Sequence, residues 1–134
     1  MSQENVELVR SIFAAWQRGD YSSDEWADSE IEFVIADGPT PGSWRGTPAM
    51  AKVWHEALSA FDEHHSNAEE YRELDGERVL VLVQFSGRGR ASGLELATMP
   101  TRGANLFHVR DGKVTRLVLY WDRKRALEAV GLRE

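Results

Sequence analysis

Asp122 is the side chain in this sequence best placed for chemistry. It follows Tyr120 and Trp121 directly, in the run Val-Leu-Tyr-Trp-Asp-Arg. A carboxylate beside aromatics, facing an apolar space, has its pKa raised by desolvation, toward the range where it exchanges a proton near neutral pH. His108 is the candidate partner, because an imidazole can orient such a carboxylate or share a proton with it. Gln84 and Tyr120 carry polar tips suited to fixing a ligand. Trp16, Phe33, Trp44, Trp54 and Phe61 are candidates for an apolar cradle around a flat molecule. Each has a plainer reading. Asp122 can cap a helix starting at Arg123, or pair with Arg123 or Arg125. His108 can sit on a wet strand face, and aromatics at helical spacing can be core.

Whether Asp122 and His108 meet depends on one hairpin. Leu106–Arg110 and Lys113–Trp121 are rich in β-formers and flank Asp111-Gly112, a strong turn signal. With a two-residue turn, Val109 lies opposite Val114, and His108 shares a face with Thr115, Leu117 and Trp121. With a three-residue loop bulged at Gly112, Val109 lies opposite Lys113. His108 then shares a face with Val114, Val118, Tyr120 and Asp122. A one-residue slip moves every side chain to the other face. The bulged loop is preferred, since it gathers His108, Tyr120 and Asp122 on one concave side and leaves Leu117, Leu119 and Trp121 for a second apolar surface.

The elements around this hairpin follow from periodicity. Ser2 can cap a first helix with Val6, Val9, Phe13 and Trp16 at helical spacing, stopped by Gly19. Ser22-Ser-Asp-Glu25 reads as a capping box opening a short helix that carries Trp26. Ile31, Phe33 and Ile35 alternate with Glu30 and Glu32 as a half-buried strand. Asp37 to Gly42 is a loop by composition. Thr47-Pro48 starts a helix with Met50, Val53, Trp54, Ala57, Leu58 and Phe61 on its apolar side. His65–Leu74 reads as an exposed or edge strand, and Arg78–Arg90 as a long strand whose Val79–Val83 run is apolar on both faces. Such a run needs cover on both sides. Arg123–Val130 forms a last helix, stopped by Gly131.

Composition sets the bounds. A chain of 134 residues with 42% hydrophobic content fits one domain, 1–134, with a sizeable core. The net charge of -6 disfavours nucleic acid and anionic membranes as partners. There is no cysteine, which excludes disulfides and thiol chemistry. Glu63-His64-His65 does not read as a metal site, because adjacent histidines on a strand point apart and no second cluster completes a ligand set. No phosphate-binding loop, nucleophile elbow or dinucleotide fingerprint is present, so no cofactor is expected. No apolar run approaches twenty residues and no signal-peptide pattern opens the chain, so a cytoplasmic protein is expected.

The order of elements predicts an α+β fold, a cone-shaped barrel in which a strongly bent, mostly antiparallel sheet wraps around about three helices. That order, together with Phe13-Ala-Ala-Trp16-Gln-Arg-Gly-Asp20, Trp44-Arg-Gly46 and the ending Asp-Gly-Lys-Val-Thr-Arg-Leu-Val-Leu-Tyr-Trp-Asp, resembles the SnoaL-like proteins. These sit in the nuclear-transport-factor-2-like superfamily with ketosteroid isomerases and polyketide cyclases. The resemblance covers nearly the whole chain. It implies that His108 and Asp122 match the places where polyketide cyclases of this family carry acid–base work. The expectation is a cofactor-free isomerase, cyclase or lyase acting on a small apolar or polyketide-like substrate. The alternative is a non-enzymatic ligand-binding or dimerisation module. A homodimer through the outer face of the sheet is expected as the second cover of Val79–Val83.

Overall fold

The structure is a computed structural model. It describes residues 2–18, 25–37, 41–59, 61–89 and 101–132, with side chains for 4–18, 25–37, 41–56, 67–84 and 102–132. The apolar stripe of the first helix, α1 (Ser2–Gln17), buries Val9, Ile12, Phe13 and Trp16. This is the spacing of one helix face. The strand β1 (Ala27–Ile35) buries Ile31, Phe33 and Ile35 by strict alternation. After β2 (Gly42–Arg45) and α2 (Thr47–Ser59) come β3 (Phe61–Asp75), β4 (Arg78–Gly89), β5 (Thr101–Arg110) and β6 (Lys113–Tyr120). The last helix is α3 (Arg123–Ala129).

The strands form one six-stranded sheet in the order β2-β1-β6-β5-β4-β3. The β1–β6 pair is parallel and the others are antiparallel. The sheet is therefore mixed and open, and the expected cone-shaped α+β architecture holds. β3 is an edge strand, as its polar sequence suggested. No helix among the described residues is long and apolar enough to cross a membrane.

The sheet has two apolar faces, covered separately. Val79, Val81, Val83, Phe107, Val109, Val114 and Leu117 pack with the apolar faces of α1 and α2. Leu80, Leu82, Ala104, Leu106 and Val118 pack against Ala126 and Leu127 of α3. The both-faces apolar run in β4 was the ground for a homodimer. The chain meets that need itself by folding α3 back over the outer face. Burying one Leu side chain such as Leu127 is worth roughly 1.5–3 kcal/mol.

Two local expectations change. The helix expected to carry Trp26 begins at residues outside those described, and Trp26 itself lies in a turn. Its carbonyl accepts the Val114 N–H at 2.8 Å, so β6 holds the entry to β1. In the β5–β6 hairpin the two-residue turn is the one formed. Asp111 and Gly112 both take positive φ, 53° and 75°, and Arg110 pairs with Lys113 and Val109 with Val114. This primed turn matches the right-handed strand twist, which a bulged loop is not needed to supply. A bulge does occur farther along. His108 pairs with Arg116, which leaves Thr115 as the extra residue.

Candidate functional site

The bulge decides where each candidate points. Beyond Thr115, Arg116 and Val118 face with Tyr120 and His108, while Leu117, Leu119 and Trp121 face α1 and α2. The expected grouping of His108 with Val118 and Tyr120 is kept, but it lies on the outer face. The apolar set assigned to an outer surface is instead the inner one. The reason is that Val109 and Val114, fixed opposite each other by the turn, are both completely buried toward the helices. The extra residue at Thr115 then shifts the alternation by one, so that Leu117, Leu119 and Trp121 join them on the inner side.

The aromatic candidates do gather on the helical side. Trp16 of α1 packs at a tilt against Trp54 of α2, with ring centroids 4.8 Å apart and planes at 45°. Trp54 reaches Phe33 of β1 at 5.4 Å, and Phe33 reaches Trp44 of β2 at 6.2 Å. Phe13 continues the line inward, 4.9 Å from Trp16. Phe13 and Phe33 are fully buried, whereas Trp44 and Trp54 are half-buried. The result is a continuous aromatic wall that starts in the core and ends in two partly exposed indoles. Gly42 makes room for one of them. A Cβ there would lie 2.6 Å from the Trp44 ring, so a side chain at this position would have to push the ring from where it folds back over the strand.

Asp122 takes its plainer role. It is the N-cap of α3, exposed, and its Oδ1 accepts the Lys124 N–H at 3.0 Å. An Asp immediately before a helix satisfies an orphan N–H of the first turn, which is why the residue type suits the place. His108 is half-buried on the outer face between Arg78 of β4 and Arg116 of β6. Burial first, then the Arg116 and Arg78 charges, hold its pKa below the usual histidine value, while Asp75 and Glu32 pull the other way. Its Nε2 is buried with no hydrogen-bond partner among the described residues. Asp122 and His108 therefore do not form a pair turned toward the helices.

Gln84 continues the phase of Leu80 and Leu82, opposite Arg102, so it belongs to the outer face. Tyr120 packs into the α3 cluster, and burial raises its pKa. The side chains of Phe61 and of Glu63-His64-His65 lie outside those described.

One residue escaped sequence reasoning. Asp37, just beyond β1, accepts the Trp121 N–H at 2.5 Å on one carboxylate oxygen and the Asp122 N–H at 3.2 Å on the other. It ties the end of β1 to the end of β6 and to the start of α3. An Asp opening a Gly-Pro loop signals a side chain that bonds backbone, but its partners are too distant in sequence to be foreseen. A second tie is Arg123, whose guanidinium donates to the carbonyls of Val83 at 2.8 Å and Gly103 at 3.3 Å and to Glu69. Arg123 holds the Glu69 carboxyl below its ordinary range.

Known proteins fit this architecture. A Burkholderia xenovorans protein described as NTF2-like is 29% identical, with a TM-score of 0.67 over 90% of each chain. A Sinorhizobium meliloti protein described as a putative polyketide cyclase is 23% identical, with a TM-score of 0.66 over 84% of this chain and 93% of its own. TerC, crystallised with polyporic acid, is 18% identical, with a TM-score of 0.75 over 96% of this chain and 98% of its own. No curated protein matches. The sequence model of the SnoaL-like domain matches residues 9–117, most of the chain, and with the fold in agreement the chain belongs to the SnoaL-like family.

Proposed function

We propose that this SnoaL-like protein holds a flat, largely apolar small molecule, polyketide-like in type, against the aromatic wall that ends in Trp44 and Trp54. The observation that carries the reading is the run of ring contacts from Phe13 through Trp16, Trp54 and Phe33 to Trp44. Indoles that are half-buried and stacked on a rigid core offer a pre-ordered surface at little entropic cost. TerC, which shares the fold, was crystallised with polyporic acid. Turnover by Asp122 and His108 is the less supported reading. Proton transfer needs both groups within reach of the substrate, and here one caps α3 and the other pairs across the outer face.

The test is binding of hydroxylated naphthoquinones and anthraquinones, followed by tryptophan fluorescence and by the indole N–H signals in NMR. Shifts at Trp44 and Trp54 are expected. Trp44→Leu and Trp54→Leu should each weaken binding by about threefold to tenfold, the worth of one aromatic pair. Gly42→Val, which displaces the Trp44 ring, should act in the same direction. A panel that leaves both indole signals unmoved ends this reading.

A further inference from the structure

Trp16 also lines a groove of ≈ 420 Å³ between α1 and the turn of the β5–β6 hairpin, within the size range of small-molecule sites. Leu8, Ile12 and Ala15 of α1 form one wall, at the spacing of a single helix face. Trp16 and Trp26 meet there edge to face, with centroids 6.0 Å apart and planes at 78°, and make a right-angled aromatic corner. The opposite rim is the hairpin, Gly112 and Lys113. At Gly112 nothing lies within 4 Å of where a Cβ would stand, so the rim is open at that point.

The chemistry of the rim selects the ligand. Lys113 Nζ donates to the backbone carbonyl of Glu25, which fixes the ammonium at the mouth of the groove. An ammonium has three donors, and this bond uses one of them. A carbonyl carries no charge to cancel it. The Ser11 hydroxyl donates to Leu8 O at 2.6 Å, which leaves its oxygen free to accept. The Glu25 side chain is exposed on the same rim and disfavours a second anion on its own side.

We infer that this groove is a binding site for a flat aromatic carboxylate, its ring seated in the Trp16–Trp26 corner and its carboxylate on Lys113. It goes beyond the proposed function, because the groove's lining includes neither Trp44 nor Trp54. The probe is 2-naphthoate, set against 2-naphthylmethylammonium, with indole and backbone N–H shifts read by NMR. Naphthoate is expected to shift the Trp26 indole together with Gly112 and Lys113, and to leave Trp44 in place. Lys113 is exposed, so Lys113→Gln keeps the fold and should weaken naphthoate by about threefold to tenfold. Glu25→Gln should leave it as tight or tighter, and Ala15→Phe should fill the groove and abolish binding with a native spectrum. Equal binding of the ammonium probe overturns the proposal. So does a Lys113→Gln affinity equal to wild type, or a response confined to Trp44 and Trp54. That last outcome would leave the proposed function standing, so the two claims fail separately.

Discussion

His108 shows what a strand residue does when its neighbours, not a substrate, set its charge. It stands between Arg78 and Arg116, and protonation would place a third cation between them. Its folded pKa is lowered from 6.5, so the unfolded chain binds the proton more readily. Stability from this group is present above the unfolded value and is lost as pH falls below about 6.5 toward the folded pKa. Thermal unfolding should show a lower Tm at pH 5.5 than at pH 7.5, with the difference reduced in His108→Leu. Loss that begins only in the carboxylate range would point instead to Glu69 and Asp75, whose pKa values are lowered from 4.5 and 3.8. At pH 7.5 the same His108→Leu should be near neutral or stabilising, because it removes a buried Nε2 that lacks a partner. Asp122 supplies the complementary case. Asp122→Asn should unfold like wild type, and Asp122→Ala should lose about 1 kcal/mol through the missing cap. A strongly destabilised Asp122→Asn would mean the carboxylate charge, not the cap geometry, matters.

Among the elements, the hairpin and the β1–β6 junction settle the site. A two-residue turn fixes Val109 against Val114, and the Thr115 bulge then reverses the phase for the rest of β6. Thr115 Oγ1 donates to His108 O at 3.3 Å across that bulge. At the far end of β6, Asp37 binds two backbone N–H groups that would otherwise be left open where the strand stops. Asp37→Ala leaves both without that acceptor and should cost about 1–3 kcal/mol. Amide hydrogen exchange at Trp121 and Asp122 should accelerate in the variant. Unchanged protection at both amides would show that the junction is held by strand pairing alone.

At the scale of the whole molecule, one sheet carries two cores, and α3 is the reason it can. Leu127 closes the outer core over Leu80, Leu106 and Val118. Leu127→Ala should cost about 2–5 kcal/mol, as buried Leu truncations do. By uncovering that face it should also raise the apparent mass in light scattering relative to wild type. A variant with unchanged mass and less than about 1 kcal/mol lost would mean that α3 covers the sheet without stabilising it.

Some of this was written in local sequence. Period 3.6 in Val9–Trp16 and period 2 in Ile31–Ile35 name a helix face and a strand face, because side-chain direction there repeats over a few residues. The Asp111-Gly112 turn, the two-faced β4 and the helix after Asp122 follow from equally local rules, as does the meeting of Trp16, Phe33, Trp44 and Trp54 once the apolar faces must be buried together. Other features were decided by the tertiary structure. The bulge at Thr115 has no signature in its own residue, and a single extra residue reverses the face of all that follows. That α3 covers β4's second face depended on where the last helix folds back. Asp37 was legible as a loop residue and nothing more, since the N–H groups it binds arrive from the other end of the chain.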